Sequence, residues 1–524
     1  MGENRTSENK VSIEELLYYT FLGILLFAKG IGLYDGQSVF KCLLVVAVFF
    51  WAGKMAAARY SIKEMICIIL FLGLGALTYL KSGEKGILLF MMMLTGMKNI
   101  PVKRAFYVGL GAWGSAFCIL TFTSLFHMAD MGYKVHDKLG LGYIFRYGLG
   151  YAHPNVLHVS YFILAVFLVY IWNDKYDWKK MLGLMAGNFL VFAYSVSYTG
   201  VAIVALYLLT ALYAAGRKKL SVLERAACFC VYPFCCLLSL WGSVLLKNHE
   251  RLFSVINKIV NERLRLSQIF LVRENLSIFG VKVADIITDS VTMDNAYVYL
   301  LITHGIVIFI LMSAAYMYLV FVYGKENKAK ELAIIIFICF MGIMEPYLFN
   351  ASFKNVIFLY LGELFYRKCA GKGREIGIGP WVRLCEGKIL SIKRRGKGLR
   401  DGLGRLKRRK KTIGYICVAA GILTAGIYGT VCMMRMPQGY IVPRIQASII
   451  EEEYFYITDD WEKDYPSYQI VGQIEADTPV NGFGGNIVRV EIGRRYLNGF
   501  VIGSVLSGMI LCGFEFCGAM RKKP

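Results

Sequence analysis

Apolar runs recur along almost the whole chain and are broken by short polar stretches. Cys42–Phe50, Phe162–Tyr170, Val201–Tyr213 and Val307–Tyr323 hold no charged residue. With their flanks, several approach the ~20 residues that a helix needs to cross a bilayer. A soluble protein can bury one or two such helices. It cannot bury a dozen, because too little amphipathic sequence is left to cover them. The pattern predicts spans at 14–34, 38–53, 63–80, 85–97, 105–126, 152–172, 181–197, 198–215, 226–246, 295–323, 332–349, 352–366, 413–434 and 497–518. The chain therefore reads as an all-α polytopic membrane protein with about 14 transmembrane helices. Only 18% of its residues are charged, against about a quarter in soluble domains, which supports the same class. Met1–Lys10 is polar and Leu16–Ala28 ends without a small-residue cleavage pattern, so the first run reads as a span and not as a signal peptide.

The net charge of +23 changes the picture only once it is mapped. Arg367–Lys411 holds 17 Lys or Arg against Glu375, Glu386 and Asp401, and such a block marks the cytoplasmic side. Alternation from that anchor puts both termini on the inner side of the cytoplasmic (plasma) membrane. The clusters Lys393–Arg395 and Lys407–Lys411 suit anionic lipid headgroups. Nucleic acid is not an expected partner, because no aromatic residues interleave the basic ones and no nucleic-acid fold signature is present. The expected organisation is a membrane domain over 1–366 with an external loop 247–294, a basic cytoplasmic linker 367–412, a helix–external domain–helix module over 413–518, and a cytoplasmic tail 519–524. The external part of that module, 436–495, has ten Asp or Glu against five Lys or Arg. Alternation in Ile487–Ile492 predicts a strand there, hence a small extracytoplasmic α/β or β domain. The 14 Cys show no disulfide framework, and the cluster Cys228, Cys230, Cys235 and Cys236 lacks a His or carboxylate at metal-ligand spacing. It reads as buried structural thiols.

The chemistry gathers in the external loops. Lys247–Asp294 carries seven basic residues, and Arg251, Lys258 and Arg265 recur every seven positions, one stripe if the segment is a single helix. Two readings fit that stripe: a helix anchored among headgroups, or a phosphate grip in which the planar arginine fork meets pyrophosphate oxygens.

Three stretches in this region, Asn261–Phe270, Leu276-Ser-Ile-Phe-Gly280 and Asp294–Val307 (with Asp-Asn at its head and Thr-His-Gly-Ile-Val at its end), resemble the O-antigen ligase/polymerase superfamily. Gly148–Asn155, ending in His-Pro-Asn, and Ser195–Gly200 resemble two further hallmarks, so the resemblance covers roughly 60–366 in the expected order. It implies a helical architecture related to the C-type glycosyltransferases. The implied enzyme is metal-independent and cofactor-free, and polymerises or ligates polyprenyl-pyrophosphate-linked oligosaccharides during cell-surface polysaccharide synthesis. Donor and acceptor saccharide lipids are the implied substrates, with a flippase and a chain-length regulator as partners. By the same resemblance Arg263 or Arg265 holds the pyrophosphate. Arg273 and Lys258 are further cations. Asp294 stands where the family's ligases tend to carry His, and a carboxylate there suits a general base; the bland alternative is a helix N-cap. Asn295, Glu345, Arg146, His153 and Asn155 are candidate substrate contacts, His153 standing equally as a helix-entry residue before Pro154. Tyr198 occupies a position where the family usually places Arg, and Lys134 or Arg146 is the candidate replacement. The rival functions are a flippase for the same lipids, which would place charges at mid-membrane and show repeat symmetry, and a sensor or scaffold presenting the acidic domain.

Overall fold

The structure is a computed structural model that describes residues 10–126, 132–138, 140–245, 249–259, 263–283, 293–369, 376–377, 389–391, 397–442, 466–471, 482–483 and 485–521. In chain order the helices are α1 Ile13–Gly30, α2 Ser38–Ala57, α3 Ile62–Ser82, α4 Gly86–Thr95, α5 Val102–Leu125 and α6 Pro154–Trp172. Next come α7 Trp178–Ser195, α8 Tyr198–Gly216, α9 Val222–Leu245, α10 Glu250–Ile259, α11 Arg263–Arg273 and α12 Ala296–Thr303. The last are α13 Gly305–Lys325, α14 Ala329–Met344, α15 Ile357–Cys369, α16 Lys397–Met433 and α17 Gly485–Arg521. A helix occupies every segment predicted as a span. Among the described residues nine (α2, α3, α5, α6, α8, α9, α13, α16 and α17) are long and apolar enough to cross a bilayer. The chain is an all-α polytopic membrane protein.

It forms two compact units. The first comprises 1–119, 158–192 and 197–391; the second comprises 120–157, 193–196 and 392–524. The expected boundaries at 366 and 412 do not fall between these units, since residues 120–157 group with the C-terminal helices.

In the first unit, α4 is only ten residues long and almost wholly buried. The start of this helix is closely covered by protein. A Cβ on Gly86 would lie 2.2 Å from the Phe349 carbonyl. The predicted span 295–323 is not continuous. It breaks between α12 and α13 at Gly305, whose φ is +86°. The Leu276–Gly280 stretch lies against the break: Ile306 N–H donates to the Ser277 carbonyl at 3.0 Å, and Val281 N–H to that of Ile302 at 3.2 Å. Gly280 also has a positive φ, +88°, and a Cβ on Gly305 would sit 2.3 Å from its nitrogen. Two motifs that look separate in sequence are thus one packed element, and glycine is required at both positions. The basic stripe over Arg251, Lys258 and Arg265 is also corrected. The segment is two helices, α10 and α11, so a seven-residue repeat no longer defines one face. Of the clustered thiols Cys235 is buried and Cys230 is exposed, so burial is not a property of the group. Short strands from the linker pair back on the N-terminal region: Ile389–Ser391 with Lys10–Ser12, and Ile376–Gly377 with Arg59–Tyr60.

In the second unit, Tyr133–Lys138 and Gly142–Tyr147 form an antiparallel hairpin. A three-stranded sheet places Gly439–Val442 between Tyr468–Ile470 and Gly482–Phe483. Most of the expected acidic domain, 443–465 and 472–481, lies outside the described residues. The strand expected at Ile487–Ile492 is instead the first turns of α17. The reason is visible in burial: Ile487, Glu491, Arg494 and Asn498 are all buried, a spacing of four, three and four that only a helix puts on one face. Ile487 joins Val135, Phe145, Tyr440 and Val471 in a common core. α16 begins at Lys397, so part of the predicted linker is helical.

Candidate functional site

Asp294 and Asn295 stand immediately before α12, and they play different parts. Asn295 is the N-cap: its carbonyl oxygen accepts from the backbone N–H of Tyr297 at 3.0 Å and of Val298 at 3.2 Å. Its amide donates to Ser239 Oγ at 2.9 Å and to the Ile343 carbonyl at 3.3 Å. Capping therefore falls to Asn295 and not to Asp294. Asp294 is left to pair with a cation, and its Oδ2 lies 2.8 Å from Arg263 Nη2.

Arg263 opens α11 and is buried, while Arg265 is exposed. Two residues apart on a helix are about 200° apart around it, so only one of the pair can face inward. Arg263 Nε also donates to the Met344 carbonyl at the end of α14, at 3.3 Å. The ion pair lines a small cavity with Ser267, Phe270 and Met293. The Ser267 hydroxyl there is buried without a hydrogen-bond partner among the described residues.

The 345–356 segment between α14 and α15 adds a second cluster. Glu345, Tyr347 and Lys354 line a cavity walled by α6 and α14. The Tyr347 phenol donates to Glu345 and feels the charges of Asp294 and Arg263, so the two clusters are neighbours. The Lys354 ammonium stands 3.5 Å from the centre of the Tyr347 ring. Glu345 and Lys29 are the charged groups that act on it. Asn355 is structural, donating to Tyr316 Oη and to the Leu348 carbonyl and accepting from Ile357 N–H. Asn350 accepts from Ser352 N–H within the same segment. Near the break, Tyr299 hydrogen-bonds Glu84, whose pKa burial raises. His304 is fully buried there, with no well-formed hydrogen bond to either ring nitrogen and the Phe349 backbone acting on it. His158 Nε2 meets Asn188 Oδ1 at 2.8 Å, a buried packing contact.

Arg146, His153 and Asn155 belong to the second unit and form their own network. Arg146 is buried, donating from Nε to the Ser195 carbonyl at 2.9 Å and from Nη2 to Asn155 Oδ1 at 2.7 Å. Asn155 N–H donates to His153 Nδ1 at 3.1 Å. The tight turn before them needs its glycines, since a Cβ on Gly148 would lie 2.1 Å from the Tyr151 carbonyl. Lys134 faces Arg146 across the hairpin register. Arg494, from α17, joins the same region. It donates to the carbonyls of Ala193 and Phe145, each at 2.7 Å, and pairs with Glu491 at 2.6 Å. Two guanidinium groups therefore sit on the 193–195 carbonyls, next to the sequence position where Tyr198 leaves the expected arginine missing.

The structure thus gathers Arg263, Asp294, Asn295 and Glu345 in one unit and Arg146, His153 and Asn155 in the other. Arg265 is on the outer face of α11. Lys258 and Arg273 lie on α10 and α11, with side chains outside the described set. Sequence reading missed Lys354, Ser267, Glu491 and Arg494. Lys354 did carry a signal, being the only charge between Glu345 and Glu363, and a lone ionisable residue in an apolar stretch points to function. Among the described residues no three His, Cys, Asp or Glu side chains gather as a metal-binding group. No protein-family model, curated protein or solved structure matches the chain.

Proposed function

We propose that this protein is a membrane glycosyltransferase of the O-antigen ligase/polymerase kind. It polymerises or ligates polyprenyl-pyrophosphate-linked oligosaccharides on the outer face of the cytoplasmic membrane, with about 14 spans and both termini inside. The observation that carries this reading is the Arg263–Asp294 pair, largely buried beside a cavity at the head of a broken helix. A lipid-borne donor needs a helical domain to admit its tail and a cation to receive its leaving group. Arg263 supplies that cation in a site shielded from water, where it stabilises developing charge most effectively. In the transfer, the bond between the anomeric carbon and the pyrophosphate oxygen breaks, and the acceptor hydroxyl oxygen bonds to that carbon. The hydroxyl proton goes to Asp294, and polyprenyl pyrophosphate leaves as the anion held by Arg263. Arrival of the pyrophosphate draws Arg263 from Asp294, so donor binding frees the carboxylate to act as base. Asn295 fixes the direction of Asp294 through its cap, and exposed Arg265 meets the donor from the loop side.

The test is glycan transfer by purified protein in liposomes supplied with a polyprenyl-pyrophosphate oligosaccharide. Arg263→Ala and Asp294→Asn are expected to lose at least ~100-fold in rate, and Arg265→Ala less. Lipid flipping by the wild type without any polymer or transfer product defeats the proposal and leaves the flippase.

A further inference from the structure

Lys354 has a chemical problem that its surroundings do not solve. It is 6% exposed, yet among the described residues no acceptor makes a hydrogen bond to its ammonium. Its contact is the Tyr347 ring at 3.5 Å, and a ring face satisfies the charge but none of the three N–H donors. Asn355, the nearest amide in the chain, has its own oxygen committed to Ile357 N–H. Glu345 acts on Lys354 through its field and also acts on the Tyr347 phenol. An ammonium left without protein acceptors is unfavourable, and here it lines a cavity of about 20 Å³. That space takes one or two small oxygen-bearing groups. The cavity adjoins the Arg263–Asp294 pair through Tyr347, so a ligand anion held by Arg263 is within the reach of the same cluster.

We propose that Lys354 is the donor of an oxyanion subsite, which takes an oxygen of a phosphate or of a sugar carboxylate. The subsite is distinct from the catalytic roles above and does not depend on which transfer reaction the protein performs. Glu345 faces the same cavity, so its carboxylate repels the incoming anion. The subsite therefore predicts opposite effects for its two charged residues: removing Lys354 weakens anion binding, and neutralising Glu345 tightens it.

The experiment is anion binding to the full chain in nanodiscs, read by calorimetry with inorganic pyrophosphate, inorganic phosphate and glucuronate as separate probes. Wild type is expected to bind at least one of them. Lys354→Met is expected to lose roughly 10–100-fold in affinity, the value of one charge-assisted hydrogen bond. Lys354→Arg retains most of the affinity, and Glu345→Gln gains. Tight binding of the phosphates alone assigns the subsite to the donor's pyrophosphate, and of glucuronate alone to an acidic sugar. No binding by wild type overturns the proposal. So does equal binding by folded Lys354→Met, or weaker binding by Glu345→Gln. Lys354-dependent binding in a protein that transfers no glycan leaves this inference standing and removes the glycosyltransferase reading.

Discussion

Arg494 and Glu491 are each 4% exposed in their side chains and meet at 2.6 Å. They are not equivalent. Arg494 also donates to the carbonyls of Phe145 and Ala193 at 2.7 Å and to that of Tyr194 at 3.4 Å. Glu491 has one further partner, the Tyr147 phenol at 2.9 Å. Removing Arg494 with Arg494→Met strands a buried carboxylate, at about 3–5 kcal/mol, and orphans carbonyls at roughly 1 kcal/mol each. Glu491→Gln leaves the guanidinium its carbonyl partners and Tyr147 an acceptor, so it costs only about 1–2 kcal/mol. The two changes interact with a reversal of sign. In the Arg494→Met background the carboxylate is the liability, and Glu491→Gln should recover about 1–3 kcal/mol. The assay is thermal unfolding of the full chain in detergent, followed by the fluorescence of its seven tryptophans. All four proteins are scanned at one rate, because the transition is operational if unfolding is irreversible. The reasoning is refuted if Glu491→Gln lowers the transition by the same amount in both backgrounds.

Two further outcomes follow from the same physical reasoning. Gly305→Ala should cost about 3 kcal/mol or more, combining the ~1–2 kcal/mol of a left-handed backbone with the 2.3 Å approach to Gly280; Gly83→Ala, at φ +77° in open space, should show only the backbone part in the same melts. Asn295→Ala should cost about 2–3 kcal/mol through the lost cap and the two lost amide bonds, while Asn295→Asp keeps the cap and should fall between; equal melting of the two variants counts against the capping role.

The helices were legible because a bilayer leaves a strong mark: long apolar runs and a one-sided basic block. Breaks inside helices were not. Nothing in Tyr297–Tyr323 interrupts the apolar pattern except His304 and Gly305, and the reason for the break, Gly280, lies a stretch away in another motif. The strand assigned to Ile487–Ile492 failed because six alternating residues also fit the opening of a helix whose buried face is polar. At the site, the ends of the motifs were readable but their division of labour was not. Asp294 and Asn295 are both good caps by residue type, and only the placement of Arg263 decides which one is released for pairing. Arg494 was invisible as a partner of the 193–195 turn because its hydrogen bonds span some 300 residues of chain.

That separation also sets an order of events during synthesis. Tyr194 hydrogen-bonds Asn498, 304 residues later, and Tyr147 bonds Glu491 after 344. At roughly 5–20 residues per second, the ribosome takes on the order of 15–70 s to deliver those partners. Until then the hairpin and its neighbouring turn must persist without the side chains that complete their hydrogen bonding. A nascent chain that stalls before α17 therefore lacks the Arg494 donor for the backbone carbonyls of Phe145 and Ala193.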